Sequence, residues 1–267
     1  MTAIKWRFAT LGLALAALLV SAFAATGSPA MAAASSCANT GPVFFGLHGM
    51  YEGPSTTVPQ SSPEIQGFDY EQNLISGAVL NDPVPYPTAT ASLPDLINLV
   101  SFVKTGENNL QSYLAAWTKG CTTAQDKVAL VGYSMGAWVI NKWLKDHSSE
   151  LSMIKAVALY GDPCWIDGAD RGLVRLLARN YGVGLGCSPP KDYPYPTTAH
   201  TPLTVSYCLG GDPVCGGGFN SNSATEVATA STCHGNPNCP HNWYQVGQPG
   251  EASLKFGAQF VVQQLVG

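Results

Sequence analysis

Charge is what this chain has least of. Asp, Glu, Lys and Arg make up only 11% of its 267 residues, less than half the usual quarter. Thirteen basic residues stand against seventeen acidic ones, a formal charge of −4 with a pI near 5.7. No cluster of Lys and Arg occurs along it. Without a basic field to neutralise phosphates, a nucleic-acid partner is not expected. The same composition sets aside a coiled coil and a multi-pass membrane protein. Internal repeats and Pro/Gly/Ser linkers are lacking too, which argues for a single domain. What is present is apolar: 46% hydrophobic residues, enough to bury a sizeable core.

The first 34 residues contain no acid. Lys5 and Arg7 precede an apolar run from Phe8 to Ala25, and small residues follow through Ala34. A basic start, an apolar middle and an A-x-A end describe a secretory signal peptide. Ala30-Met31-Ala32 and Ala32-Ala33-Ala34 both fit its cleavage rule. Residues 1–34 are therefore expected to be removed, leaving 35–267 as the working domain, secreted and without a stable membrane span.

All eight cysteines lie beyond that segment: Cys37, Cys121, Cys164, Cys187, Cys208, Cys215, Cys233 and Cys239. An even number in an exported chain reads as disulfides. Their closeness in sequence suggests Cys208–Cys215 and Cys233–Cys239 as short clips. His234 and His241 lie near the second of these, but no C-x-x-C pair occurs, so no metal is expected.

Apolar runs over Gly41–Leu47, Lys127–Gly132, Lys155–Tyr160 and Pro202–Cys208 read as buried strands. An edge strand is expected around Val84-Pro85-Tyr86. Helical spacing predicts helices over Leu93–Lys104 and Glu107–Lys119, parted at Thr105-Gly106 and capped by Gly120. Further helices are expected over Met135–Lys145, over Glu251–Val266 and near 169–180. Strands alternating with helices predict an α/β domain with a mostly parallel central sheet and helices on both faces. The irregular stretch 165–200 reads as a long excursion at the rim.

Gly132-Tyr133-Ser134-Met135-Gly136 matches G-x-S-x-G. A buried strand immediately before it and an amphipathic helix immediately after make it a nucleophile elbow. Such a turn holds the serine in a strained conformation, and the small flanking residues let strand and helix approach. The hydroxyl then stands above a helix N-terminus, which favours developing negative charge. A serine nucleophile needs a base, and the base an orienting acid. Their expected order is Ser, Asp, His. His147 lies on the helix after the elbow and is expected to face solvent; His200 precedes the strand that should carry the acid. That leaves His234 and His241 as bases, and Asp162 and Asp212 as acids, each acid just after a predicted strand. Order alone does not separate them.

These residues resemble the cutinase-like serine esterases, which include cutinases, acetylxylan esterases of the same fold and actinobacterial relatives. That family carries G-Y-S-Q-G at its nucleophile, and Gly132–Gly136 differs only by Met135. Its acid sits in C-x-x-x-D-x-x-C, matched by Cys208 to Cys215 with Asp212 inside. Its histidine sits in H-x-x-Y, matched by His241 to Tyr244. Val84-Pro85-Tyr86-Pro87 and Tyr160-Gly161-Asp162-Pro163 match two further segments, and the resemblance covers about 37–265. It implies the single-domain α/β-hydrolase fold of cutinase type, with Ser134 as nucleophile, Asp212 as orienting acid and His241 as base. It also implies pairs Cys37–Cys121 and Cys164–Cys187, and a structural rather than catalytic Asp162.

The oxyanion hole is expected to take the backbone N–H of Met135 and one from the loop after the first strand. The family's G-S/T-x-E loop aligns with Gly49-Met50-Tyr51-Glu52, which makes Met50 the second donor and His48 a structural loop residue. Met135 in place of Gln is expected to make the crevice more apolar. Tyr51, Tyr133, Trp138, Trp165 and Trp243 are candidates for an acyl groove or for the core, Trp138 for the core. The function implied is a secreted, monomeric serine carboxylesterase with no cofactor, acting on cutin-like polyester, lipid esters or acetylated polysaccharide. The alternatives are acyl transfer on cell-envelope lipid esters and a non-catalytic binding module of the same fold.

Overall fold

Five short strands run side by side, all parallel, in the order β2-β1-β3-β4-β5. They are β1 (Val43–Leu47), β2 (Leu80–Pro83), β3 (Val128–Tyr133), β4 (Ile154–Tyr160) and β5 (Leu203–Tyr207). Three helices accompany them: α1 (Leu99–Gly120), α2 (Met135–Asp146) and α3 (Glu251–Val266). The computed structural model describes residues 43–50, 52, 80–87, 99–120, 128–164, 203–215, 233 and 236–266. All of these lie in the second of the two units into which the chain divides, Ala33–Gly267.

Side chains alternate between the faces of the sheet, as the strand period requires. Val43, Phe45, Leu47, Val128, Leu130, Val157 and Leu159 point to one face, where they pack with Leu110 and Leu114 of α1 and Val139, Ile140 and Trp143 of α2. Phe44, Ala129, Val131, Ala156, Ala158 and Tyr160 point to the other and meet Leu254 and Val261 of α3. The sheet is thus covered on both faces, which is why its strands read as nearly continuous apolar runs. At Gly257 of α3 an added Cβ would stand 2.0 Å from the Tyr160 hydroxyl oxygen, so the helix lies directly on that ring.

Two expectations are corrected here. The helices placed on either side of Thr105-Gly106 are one continuous helix. Gly106 is a packing residue: a Cβ there would come within 2.7 Å of Val139 Cγ2 and 3.2 Å of Tyr86 Cδ2. Glycine's lower helix propensity, about 1 kcal/mol, is offset by the close crossing of α1 and α2. The edge strand also lies upstream of its expected centre, at Leu80–Pro83. Val84 N–H still donates to Gly46 O at 2.9 Å. Val84 and Tyr86 then turn inward and are fully buried.

His147 is corrected as well. It lies just past the end of α2, half-buried rather than facing solvent. Its ring stacks on Trp143 at 5.3 Å, with Nδ1 3.2 Å from Glu150 and Nε2 3.5 Å from the buried Glu107. This cluster joins α2 to α1. The excursion 165–200, with its helix near 169–180, falls outside the described residues.

Candidate active site

Parallel strands deliver their carboxyl ends to one edge of the sheet, where ligand sites of open α/β sheets form. Here that edge carries His48 after β1, Ser134 after β3, Gly161-Asp162 after β4 and the 208–215 loop after β5.

The turn from β3 into α2 is built by its glycines. At Gly132 a Cβ would meet Ile140 Cδ1 at 2.7 Å and the Ala137 nitrogen at 2.9 Å; at Gly136 it would meet the Leu47 carbonyl oxygen at 2.0 Å. Ser134 between them has φ 53° and is the sole non-glycine residue with positive φ among the described residues. Such a conformation costs on the order of 1–3 kcal/mol. It persists because the Ser134 N–H donates to Tyr160 O at 2.8 Å, and Ser134 O accepts the Trp138 N–H at 3.2 Å.

The Ser134 hydroxyl lies 2.8 Å from His241 Nε2. His241 Nδ1 lies 3.0 Å from each oxygen of Asp212. All three residues are buried, Asp212 completely. The structure therefore brings together three of the residues singled out from the sequence, separated by up to 107 positions. With His241 Nδ1–H donating to Asp212, Nε2 is left as an acceptor facing the serine. Asp212 Oδ1 also accepts the Val214 N–H at 2.8 Å. His200 and His234 fall outside the described residues.

Cys208 and Cys215 are disulfide-bonded and close the loop around Asp212; Cys233 and Cys239 are bonded just before the turn carrying His241. Cys164 is also disulfide-bonded. The suggested pairs Cys37–Cys121 and Cys164–Cys187 involve Cys37, Cys121 and Cys187, which lie outside the described residues. The Cys208–Cys215 bond closes the loop that carries the carboxylate and so restricts its conformations. A folded Cys208→Ser/Cys215→Ser variant is expected to lose turnover about tenfold, the effect of loosening one charged hydrogen bond. Unchanged turnover in that folded variant would defeat this expectation.

Aromatic residues hold the histidine, a role the sequence did not announce. The Tyr133 ring stacks on the His241 ring at 5.1 Å and 25°, and its hydroxyl donates to the His241 carbonyl at 2.7 Å. Gly161, with φ +57°, leaves room for the imidazole: a Cβ there would stand 2.8 Å from His241 Cε1. The signal that could have flagged Tyr133 was its place inside the elbow, between a core strand and the serine.

Met135 opens α2, and the first amides of a helix lack intrahelical partners. Its side chain, however, is buried in the core. Met50 lies in the turn after β1, half-buried against the same core. Trp138 is likewise partly buried against that core and Trp243 against the other. Tyr51 and Trp165 lie outside the described residues.

Asp162 bonds elsewhere than to His241. It is buried and accepts both Asn141 Nδ2–H (2.8 and 2.9 Å) and the Cys164 N–H at 2.8 Å, joining α2 to the β4 loop. Burial pushes its carboxyl up to about 6, against donors that pull it down. His48 is fully buried against Tyr86, whose hydroxyl donates to the His48 carbonyl. Neither His48 ring nitrogen has a hydrogen-bond partner among the described residues, and burial drives its pKa down to about 4.

These two groups act on stability with opposite signs. Asp162 binds its proton more tightly when folded, so its contribution is present below the usual carboxylate range and is lost as pH rises through about 6. His48 binds its proton less tightly when folded, so its contribution is present above 6.5 and is lost as pH falls through about 4. Between those values the slopes offset each other. His48→Phe removes one of them and keeps a ring against Tyr86. Relative to wild type, the variant is expected to gain up to about 3 kcal/mol as pH falls across that window. Urea midpoints measured across it check this; parallel curves for the two proteins would count against it.

Among the described residues, no helix is long and apolar enough to cross a membrane. Comparison with known proteins finds no match among curated sequences. A cutinase-like protein from Cryptococcus sp. superposes with a TM-score of 0.48 at 17% identity, covering 87% of this chain and 98% of that one. Lysin B from mycobacteriophage D29 gives 0.49 at 15% identity, covering 84% and 88%. A family model described as Cutinase matches residues 68–235, a span that contains Ser134 and Asp212 and stops six residues before His241. Since that match takes in more than half of the sequence, the chain belongs to the cutinase family of carboxylic ester hydrolases.

Proposed function

We propose that the chain is a secreted serine carboxylesterase working through an acyl-enzyme on Ser134. The observation that carries this reading is the unbroken relay from the Ser134 hydroxyl to His241 at 2.8 Å and on to Asp212 at 3.0 Å. His241 Nε2 takes the serine proton as the oxygen attacks the ester carbonyl. The resulting oxyanion is held by the backbone N–H of Met135, with Met50 as the second donor. Collapse of the tetrahedral intermediate expels the alcohol, which leaves with the proton from His241. Water then attacks the acyl group, giving its proton to the same nitrogen, and Ser134 departs with it as the acid is released. Asp212 keeps Nδ1 protonated and stabilises the imidazolium. Every step uses side chains and backbone amides of this chain.

Secretion rests on residues 1–34 read as a cleaved signal, and the disulfides Cys208–Cys215 and Cys233–Cys239 suit an oxidising compartment. The substrate class proposed is an ester of a cutin-like polyester, a lipid or an acetylated polysaccharide. The test is covalent labelling with a fluorophosphonate alongside hydrolysis of p-nitrophenyl esters from acetyl to palmitoyl. Labelling is expected at Ser134, with hydrolysis of at least one chain length. Oxidised protein that neither labels nor hydrolyses would return the chain to a binding module. Label without hydrolysis, but with transfer to an added alcohol, would move it to acyl transfer.

A further inference from the structure

We infer that Tyr244 is a positioning residue for the triad proposed above: its hydroxyl holds the Asp212 carboxylate in place and ties the acid loop to the turn carrying His241. The inference rests on the reading of Ser134, His241 and Asp212 as the working groups.

Tyr244 follows directly after the short 3₁₀ turn Pro240–Trp243 and is fully buried. Its oxygen accepts the Leu209 N–H at 2.8 Å. It lies 3.0 Å from Asp212 Oδ2, 3.2 Å from Tyr207 O and 3.6 Å from Cys215 Sγ. A phenol has one proton to give, and these acceptors compete for it. An ionised carboxylate is the strongest acceptor among them, so the proton goes to Asp212. The Leu209 N–H then fills a lone pair on the same oxygen.

Asp212 is thereby held at both oxygens. Val214 N–H donates to Oδ1 and Tyr244 to Oδ2, with His241 Nδ1 3.0 Å from each. Rotating the carboxylate away from the histidine would break both flanking bonds. The disulfide Cys208–Cys215 closes the acid loop from within, but it does not say where that loop stands relative to His241. Tyr244 does, because one atom of the histidine segment bonds the loop at Leu209 and again at Asp212. Burial and the Asp212 charge push the Tyr244 pKa well above its ordinary range, so the phenol remains a donor wherever an esterase works.

The bond also bears on charge. A donor on Oδ2 draws negative charge from the carboxylate and tempers its hold on a protonated His241. Without it, the carboxylate holds a positive charge beside it more strongly. Among the described residues, the other titratable rings packed against Tyr244 and His241 are phenols, Tyr133 from β3 and Tyr160 from β4, and Tyr207 at the end of β5 stacks on Tyr160.

The test is Tyr244→Phe, which keeps the ring, assayed on p-nitrophenyl butyrate beside wild type and Ser134→Ala. The expected result is a kcat lower by about tenfold, the scale of one hydrogen bond to a charged group, with KM nearly unchanged. The acid limb of the kcat/KM profile should move to higher pH. A lower Tm with wild-type kcat and an unmoved limb would reduce Tyr244 to packing and overturn the inference. Activity surviving in Ser134→Ala would instead bring down the triad reading, and this inference with it. Should Tyr244→Phe fail to fold, Tyr244→fluorotyrosine keeps the shape and strengthens the donor. Its acid limb is then expected at lower pH, and an unshifted limb would equally overturn the proposal.

Discussion

Ser134→Ala is expected to lower kcat by about a million-fold, and His241→Ala by as much, while the double variant falls no further. That scale is the one measured where a serine and its histidine act as a unit. The reason lies in the 2.8 Å contact between them. Without the hydroxyl there is nothing for the base to activate; without the base the hydroxyl is a weak nucleophile. Asp212→Asn should cost less, about ten-thousand-fold, by leaving His241 in the wrong tautomer. Single-turnover rates with p-nitrophenyl esters, compared after confirming folding by circular dichroism, would check the pattern. Losses that multiply in the double variant would mean that Ser134 and His241 act separately. Substantial residual turnover in Ser134→Ala would place the nucleophile elsewhere.

The largest expected effect on stability is at Gly136. An added Cβ would stand 2.0 Å from the Leu47 carbonyl oxygen, 2.5 Å from its carbon and 2.7 Å from the His48 oxygen. All three atoms are backbone. Leu47 closes β1, which is paired with β2 on one side and β3 on the other, so the obstacle cannot swing aside as a side chain would. Gly136→Ala is therefore expected to lose more than about 4 kcal/mol, the range reserved for overpacking and buried strain, or to fail to fold. Gly211→Ala provides the contrast. Gly211 has φ +82°, but among the described residues its Cβ would meet only Pro240 Cγ, at 3.6 Å. Its cost should be confined to the left-handed backbone, roughly 1–2 kcal/mol. Guanidinium unfolding of the two variants separates collision from conformation. Equal stability in both would show that α2 can move off β1, and that the elbow does not depend on this contact.

Several parts of this molecule were legible before any coordinates. β1, β3, β4 and β5 fall within two residues of their apolar runs, and α3 spans the range its pattern implies. These signals are local: a strand buried on both faces must be apolar throughout, and a strand–helix turn this tight needs glycine on both sides. Asp212 and His241 were singled out by short motifs, each carried within a single loop. Gly106 shows where local reading stops. Within its own helix it looks like a break, and only Val139 from another helix and Tyr86 from the loop after β2 explain it. His147 likewise looked solvent-facing until Glu107, forty positions earlier, came within 3.5 Å of it.

The amino-acid sequence by itself determined the parallel α/β pattern, the elbow at Ser134 and the candidate partners on their loops, because hydrophobic period and turn chemistry act over a few neighbouring residues. The tertiary structure alone brings Asp212, the acid that the family resemblance implied, against His241, stacks Tyr133 beneath the imidazole and turns Tyr244 back to the acid. Those facts are distances between segments 29 to 108 positions apart. They are set by the order of strands and by close packing across the sheet, for which no single stretch of chain carries a signal.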